Sequence, residues 1–180
     1  QLFENWLLRP EVLRRFARHA ETGEPIPDAL IDRIHAARQF NQGFATVEYA
    51  ASAFFDLDVH EAADPGAIDV DAFEAKMRSR LGVPAQIALR HRPPHFLHIF
   101  GGSGYAAGYY TYLWAEVMEA DAFNAFEEAG DIFDRGVAER LYKYVYSSGG
   151  TMKPQEAYRA FRGRDPAVEP LLEKRGLTAP

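Results

Sequence analysis

Three tyrosines near the middle of the chain have a spacing that could bring their hydroxyl groups together. Tyr105, Tyr109 and Tyr112 stand at i, i+4 and i+7, which would place the three phenols on one face of a helix. A phenol is neutral at pH 7 and donates one strong hydrogen bond, so it can stabilise the oxyanion of an acyl transfer without first losing a proton. Aromatic residues at helical spacing are also typical of a buried core, and the spacing alone leaves both interpretations open. We expect the neighbouring Tyr110 and Trp114 to pack in the core.

The segment just before the tyrosines favours contact with a ligand. Gly101, Gly102 and Gly104 form a flexible run, which would let the backbone approach an extended substrate and let the loop move during binding and release. His98 lies next to this run. Prolines in residues 83–104 prevent a long helix, so we predict a long irregular loop of the kind that often binds ligands.

Charged residues flank this region on both sides. Arg90 and Arg92 could pair with the terminal carboxylate of a peptide, as an enzyme that removes C-terminal dipeptides requires. A solvated surface position is an equally good interpretation of both arginines. Acidic residues follow the tyrosines, and we expect them to form a water-facing helical surface: Glu116, Glu119, Asp121, Glu127 and Glu128.

Three histidines near the glycine run could be read as a separate metal site. His91, His95 and His98 stand at i, i+4 and i+7, which is a ligand spacing on a helix. Pro93 and Pro94 interrupt any helix over these positions. We therefore favour ordinary loop histidines over a metal site.

The elements that must position these residues are helical. Apolar residues recur at helical spacing almost throughout the chain, which predicts an all-α, multi-helix fold. The expected helices cover about residues 10–22, 27–40, 44–61 and 71–82, and helical structure resumes at about Tyr105 with breaks near Gly130 and Gly149. Leu30, Ile34 and Ala37 would form the buried stripe of the second helix, and the Ala-rich third helix should be buried on more than one side. Asp71 and Glu74 have capping-box spacing at the start of the fourth helix.

Charge and composition exclude several classes of function. The chain has 180 residues with 20 basic and 26 acidic side chains, so its net charge of −6 provides no positive field for nucleic acid. Its apolar runs are shorter than the roughly 20 residues of a membrane helix, and we expect no membrane partner. The absence of cysteine excludes disulfides and thiolate ligands and fits a reducing compartment, which leads us to predict a cytoplasmic location.

The stretch that contains the tyrosines resembles a signature segment of a known enzyme family. Residues 98–116 read HIFGGSGYAAGYYTYLWAE, which is similar to a segment of the zinc oligopeptidases of the thimet oligopeptidase, oligopeptidase A and peptidyl-dipeptidase family. Further similar motifs are ENW at 4–6, FNQG at 40–43, EADAF at 119–123 and FRGRDP at 161–166. The resemblance covers essentially the whole chain, and within the family the region around 90–96 looks closest to bacterial peptidyl-dipeptidases.

The resemblance implies roles for the matching residues. Tyr105 and Tyr112 would be catalytic, as hydrogen-bond donors to the tetrahedral oxyanion or to the adjacent backbone. His98 and Tyr109 would contact the substrate. The further substrate-binding candidates are the glycines and arginines already described: Gly101, Gly102, Gly104, Arg90 and Arg92.

The resemblance also implies a zinc ion, held by two histidines of an HExxH helix and a more C-terminal glutamate, with the HExxH glutamate as general base. The only His-Glu pair here is His60-Glu61, and Ala63 and Asp64 follow where the second histidine would have to stand. We therefore expect no metal ligand in residues 1–180, which would form one C-terminal helical segment of the catalytic region. Zinc is expected in the full-length enzyme, with its ligands upstream, and the chain alone is expected to be inactive.

The function expected from this resemblance is the release of C-terminal dipeptides from short peptides by the full-length zinc metallopeptidase. The alternatives are an oligopeptidase A-like endopeptidase and, in a different class, a non-catalytic helical domain that binds peptides without cutting them. The expected partners are short peptides and the upstream part of the same polypeptide. Because loss of that part would uncover apolar residues such as Trp6, we also predict that the chain by itself self-associates.

Overall fold

The computed structural model describes residues 1–178 of the chain. Across these residues the regular elements are helices, and the one isolated β-bridge joins Arg18 to Pro25. The described part contains ten α-helices: α1 (Glu4–Leu7), α2 (Pro10–Phe16), α3 (Asp28–Gln39), α4 (Gln42–His60), α5 (Val70–Leu81), α6 (Leu97–Phe100), α7 (Thr111–Glu128), α8 (Arg135–Leu141), α9 (Pro154–Arg162) and α10 (Glu169–Arg175). The all-α prediction is confirmed.

Contacts between residues divide the chain into two compact units. The first unit comprises Gln1–Phe40 and the described part of Trp114–Pro180, and the second unit is Asn41–Leu113. Within residues 1–178, every helix falls short of the length and apolarity that crossing a membrane demands.

The core of the first unit lies against α7. Phe123 and Phe126 of this helix are buried, and the ring of Trp6 meets both of them edge-on, with centroid distances of 4.7 and 4.9 Å. Trp6 also donates its indole N–H to the carbonyl of Ile132 at 2.7 Å, so its polar atom is satisfied at the edge of the core. The other buried members of this cluster are Ala122, Ala125, Ile132, Val137, Leu141, Tyr158 and Phe161.

The second unit is organised around α4. This helix buries the successive residues 51–53 as well as Phe55 and Asp56, which point in different directions around the helix axis. The prediction that this helix is buried on more than one side is therefore confirmed. Phe55 packs with Met77, Phe96 and Ile99, and burial of each such side chain contributes about 1.5–3 kcal/mol.

Several helix ends were predicted correctly and others were wrong. α5 ends at Gly82, as expected, because glycine readily takes the left-handed φ of 66° found there. Its N-cap is Asp69 rather than Asp71, since the Asp69 side chain accepts the N–H of Ala72 at 3.0 Å. α2 ends at Phe16 rather than at Thr22, because the residues that follow turn back through the bridge between residues 18 and 25.

The predicted stripe of α3 was also wrong. Ile31 is its buried side chain, whereas Leu30 is exposed. Ile34, one turn further on, is half-buried and Ala37 is exposed, so the buried side of α3 is centred on Ile31 and Ile34 rather than on Leu30, Ile34 and Ala37.

The acidic residues of α7 are divided between two environments: Glu127 and Glu128 are exposed as expected, whereas Glu119 and Asp121 are buried. Asp121 is fully buried, and its carboxylate accepts hydrogen bonds from the Tyr158 hydroxyl and from Arg164, both at 2.6 Å. Arg162 lies 3.4 Å from the same carboxylate. Glu119 is buried as well and pairs with Lys174 at 2.5 Å. The prediction failed because these partners lie some forty or more residues further along the chain, where spacing within the helix cannot reveal them.

Candidate functional site

His98 and the three tyrosines meet in the second unit. The ring of His98 has centroid distances of 5.4, 5.5 and 5.7 Å to the rings of Tyr105, Tyr109 and Tyr112. Tyr109 and Tyr112 also contact each other at 5.4 Å. These four residues are called the histidine–tyrosine cluster below. The residues that the sequence singled out for chemistry are therefore neighbours in space.

A continuous helix does not bring them together. α7 begins at Thr111, and Tyr105 belongs to a short 3₁₀ turn over Ser103–Tyr105. Between them Ala107 has a left-handed φ of 55°, which no α-helix contains. The predicted helical face over Tyr105, Tyr109 and Tyr112 was wrong, and an irregular segment produces the same grouping.

The predicted core positions next to the cluster were wrong as well. Tyr110 is 51% exposed and Trp114 is 58% exposed. The expectation assumed a helix that starts at Tyr105, and the later start of α7 turns both side chains away from the buried side. The long irregular loop before the cluster was predicted more closely, although it contains the short turns Pro93–His95 and Ser103–Tyr105 and the single-turn helix α6.

Tyr105 and Tyr112 are the more exposed tyrosines of the cluster. Their side chains belong to residues that are 60% and 40% exposed. The Tyr112 hydroxyl lies 3.1 Å from Nε2 of His98, within hydrogen-bond distance. When the Nε2–H of His98 donates to the Tyr112 oxygen, the phenol hydrogen of Tyr112 is left to donate to a bound ligand.

Tyr109 is half-buried and forms the base of the cluster. Its ring stacks on that of Tyr49 at 5.2 Å and meets the ring of Phe96 edge-on at 4.9 Å. Burial raises the pKa of Tyr109 above its ordinary value, while the nearby charge of Arg90 opposes that shift. Tyr109 therefore stays neutral at physiological pH and supplies a rigid aromatic surface.

The backbone around Tyr109 is held by side chains of α4. The carboxylate of Asp56 accepts the N–H of Ala107 at 3.0 Å and the N–H of Tyr109 at 2.8 Å. The Tyr49 hydroxyl donates to the carbonyl of Tyr109. The sequence interpretation missed Asp56 and Tyr49. A signal for Asp56 was present, because it is the one carboxylate inside the apolar run from Ala50 to Leu57, and a buried charge requires specific partners.

His91 packs behind the cluster. Its ring stacks on Phe96 at 4.3 Å, and its Nδ1 lies 3.0 Å from the Ser52 hydroxyl. Burial lowers the pKa of His91, and the positive charge of Arg90 lowers it further. His91 is therefore a neutral, packed side chain at physiological pH.

The two candidate arginines lie in different surroundings. Arg90 is exposed, pairs loosely with Glu48 at 3.6 Å, and its charge acts on both His91 and Tyr109. Arg92 instead donates to Glu74 at 2.8 Å and lies 3.3 Å from a carboxylate oxygen of Asp71. The charge of Arg90 therefore acts on the histidine–tyrosine cluster through Tyr109, whereas Arg92 is bound to two carboxylates of α5.

The glycine run borders open space. A β-carbon added at Gly102 or Gly104 would meet no atom within 4 Å, so no packing contact requires glycine at either position. At Gly101 the added carbon would lie 3.0 Å from the Leu97 carbonyl oxygen, which is tighter than ordinary contact. The role of Gly102 and Gly104 in substrate binding stays a prediction.

The structure shows no clustered zinc ligands among the residues that it describes. Within residues 1–178, no group of three or more histidine, aspartate or glutamate side chains lies close enough to hold a metal ion. Of the three loop histidines, His91 faces Ser52 and His98 faces Tyr112, and they do not form a ligand set with His95. We therefore assign no metal-dependent step to these residues.

Comparison with known proteins identifies the class first. Residues 1–177 of the chain match the family model described as Peptidase family M3. The chain therefore belongs to peptidase family M3.

Individual relatives are similar over nearly the whole chain. It is 37% identical to oligopeptidase A of Escherichia coli and 37% identical to dipeptidyl carboxypeptidase of the same organism, each over 98% of its own length. It is 39% identical to the organellar oligopeptidase A of Arabidopsis thaliana, over 99% of its length. The chain spans 26%, 26% and 23% of the lengths of these relatives, or about a quarter.

Proposed function

We propose that this chain supplies the substrate-binding and oxyanion-stabilising surface of a zinc metallopeptidase that releases C-terminal dipeptides from short peptides. The observation that carries the proposal is the histidine–tyrosine cluster, in which Tyr105 and Tyr112 are exposed and the preceding Gly102 and Gly104 border open space. Membership of peptidase family M3 supports peptide hydrolysis. One of the relatives is named dipeptidyl carboxypeptidase, which supports the mode of cleavage.

The chemistry of the cluster fits the needs of peptide hydrolysis. Attack on a peptide carbonyl moves negative charge to the carbonyl oxygen, and a neutral donor already in position stabilises that charge more in the transition state than in the ground state. Tyr112 would donate its phenol hydrogen to this oxyanion while His98 orients the hydroxyl. Tyr105 would donate to the same oxygen or to the adjacent backbone, and Tyr109 would contact the substrate. The zinc and the general base would come from residues outside this chain.

Arg90 is the better of the two arginines for binding a substrate carboxylate. Its ion pair with Glu48 is long and exposed, so a carboxylate could replace Glu48 at little cost. Arg92 would first have to leave Glu74, whose carboxylate is largely buried and would lose a close partner. We therefore propose that Arg90 contacts the C-terminus of the peptide, and Arg92 keeps that role only as a weaker candidate.

The experiment that tests this function uses the complete polypeptide and peptides with free or amidated C-termini. We expect release of C-terminal dipeptides, with activity lost on amidation. We expect Tyr112→Phe to lower kcat roughly 100-fold with little change in KM, because the lost bond is made mainly in the transition state. The matched control is Tyr110→Phe, which removes an exposed phenol outside the cluster and should leave kcat unchanged.

An unchanged kcat for Tyr112→Phe would remove Tyr112 from the mechanism. Absence of any peptide hydrolysis by the complete polypeptide would overturn the proposed function and favour a domain that binds peptides without cutting them.

An endopeptidase of the oligopeptidase A type is the second candidate. The observation in its favour is that several relatives carry that name at 37–39% identity. Equal internal cleavage of free and amidated peptides would favour this candidate over dipeptide release.

Three further expectations belong to this proposal. The partner would be the upstream part of the same polypeptide, without which the chain should be inactive. The expectation that Trp6 would be uncovered was wrong, because its ring packs against Phe123 and Phe126. Other apolar side chains are exposed, among them Phe3, Phe40 and Leu97, and they support a covering partner and the self-association that we expect of the chain by itself. The cytoplasmic location stays a prediction, since the relatives include a protein named probable cytosolic oligopeptidase A and an organellar one.

A further inference from the structure

Asp56 is a fully buried carboxylate with no lysine or arginine against it. Its relative exposure is 0%, and its partners are the backbone N–H groups of Ala107 and Tyr109 and the imidazole of His60, whose Nδ1 lies 2.9 Å from Oδ1. Removing a carboxylate from water is costly unless its oxygens accept hydrogen bonds, and bonds from N–H groups to a charged oxygen are among the strong ones. The carboxylate of Asp56 therefore holds the backbone of residues 107–109 through these two hydrogen bonds.

That backbone is irregular and needs to be held. Ala107 has a left-handed φ of 55°, which is unfavourable for a residue with a β-carbon. Such a conformation persists only where its surroundings over-determine it. The two hydrogen bonds to Asp56 lie on either side of Gly108 and fix the turn from which α7 starts.

Tyr109 is held at both of its backbone groups. Its N–H donates to Asp56 and its carbonyl accepts the hydroxyl of Tyr49, and both partners belong to α4. Asp56 follows Tyr49 by seven positions, which is about two helical turns, so the two side chains project from the same face. The ring of Tyr109 contacts His98 and Tyr112, so its position determines where the cluster lies.

We propose that Asp56 is a positioning residue for the histidine–tyrosine cluster: it binds the amides of residues 107 and 109 and thereby sets the place of the Tyr112 hydroxyl. This inference rests on the proposed function, in which Tyr112 donates to the oxyanion. A displacement of a reacting group by about 1 Å can cost roughly 100-fold in rate, so a residue that never touches substrate can still control kcat.

The test is Asp56→Asn in the complete polypeptide. An asparagine has one acceptor oxygen where the carboxylate has two, and its NH₂ group would face a backbone N–H. We expect kcat to fall about 10- to 100-fold. The matched control is Asp58→Asn, on the same helix, where the carboxylate pairs with Arg80 at the surface; its kcat should match that of the wild type.

Two further measurements separate positioning from a merely structural role. In a Tyr112→Phe background, Asp56→Asn should lower kcat less than about threefold, because both changes remove the same interaction. Hydrogen exchange should accelerate at the amides of Ala107 and Tyr109 in Asp56→Asn and stay unchanged in Asp58→Asn. Full multiplication of the two kcat effects would overturn the proposal.

The outcomes also separate this inference from the proposed function. If Tyr112→Phe lowers kcat and Asp56→Asn does not, the function stands and the positioning role is overturned. If the polypeptide hydrolyses no peptide, the function fails, and exchange at Ala107 and Tyr109 still decides whether Asp56 holds this backbone. If Asp56→Asn does not fold, amide hydrogen exchange in the wild type provides the test. The proposal is overturned if the amides of Ala107 and Tyr109 exchange as fast as those of residues 101–104.

Discussion

Two aspartates of this chain are equally buried and serve different ends. Asp121 in the first unit and Asp56 in the second both have 0% relative exposure. Asp121 binds side chains, namely the hydroxyl of Tyr158 and the guanidinium groups of Arg162 and Arg164. Asp56 binds mainly backbone N–H groups of an irregular segment.

The difference between them lies in what would change if the carboxylate were lost. Around Asp121, the Tyr158 hydroxyl and Arg164 would lose a close carboxylate acceptor, and a negative charge between α7 and α9 would disappear. Around Asp56, the loss falls on the conformation of residues 107–109, next to an accessible cluster of phenols. Burial of a carboxylate therefore does not by itself separate a stabilising role from a positioning role, and the identity of the donors does.

The largest expected effect on stability comes from Asp121→Asn. The change removes the negative charge that faces Arg162 and Arg164 and weakens the buried acceptor of the Tyr158 hydroxyl, while Glu128 still pairs with Arg162, so we expect a loss of about 2 kcal/mol in the local free energy of unfolding. Hydrogen exchange of the α7 and α9 amides measures it. The control is Asp165→Asn, which removes an exposed partner of Arg159 and should leave exchange unchanged. Equal exchange in the two variants would mean that Asp121 does not stabilise the first unit.

Ala107→Gly should have a smaller effect with the opposite sign. Glycine takes the left-handed φ of Ala107 without steric cost, and this gain exceeds the extra freedom of glycine in the unfolded chain. We expect stabilisation of the second unit by about 0.5 kcal/mol, measured by exchange of the α4 amides. The control is Ala106→Gly at φ −62°, which should destabilise by a similar amount. If both variants destabilise equally, residue 107 is not left-handed in the protein.

The smallest effect is a pH dependence from His91. Its pKa is lowered in the folded protein, chiefly by burial and then by Arg90, so the unfolded chain takes up a proton first as the pH falls below 6.5. The stabilisation is fully present above that pH and decreases as the pH falls toward the folded-state pKa. When the pH is lowered from about 7.5 to 5.5, the local free energy of unfolding of the second unit should fall more in the wild type than in His91→Gln, by less than about 1 kcal/mol.

Exchange of the α4 amides at the two pH values measures this loss, with His95→Gln as the control for an exposed histidine of the same loop. A His91→Gln variant with the same pH dependence as wild type would show that His91 is not packed as described.

The sequence predicted much of the helical framework and the membership of the cluster. Bounds of α4 and α5 were close, and Gly82 and Gly130 follow helix ends with left-handed φ values, as expected of glycine. These features depend on local preferences that a few neighbouring residues express.

The two failures nearest the sites share one physical origin. The start of α7 was misplaced because the conformation of Ala107 depends on Asp56, some fifty residues earlier in the chain. Asp121 was assigned to the surface because its arginine partners lie some forty residues later. Contacts between residues so far apart do not change the local pattern of apolar and polar residues, so propensity and spacing cannot predict them.

The spacing between Tyr49 and Asp56 also sets limits on how this part of the chain can vary. One inserted residue between them would rotate Asp56 by about 100° around α4, and the two side chains could no longer reach the same residue. At Gly102 and Gly104 an added β-carbon would meet open space, so a larger residue can stand there without a packing clash. The spacing of seven residues from Tyr49 to Asp56 is stricter, because both side chains must reach the backbone of Tyr109 from one face of α4.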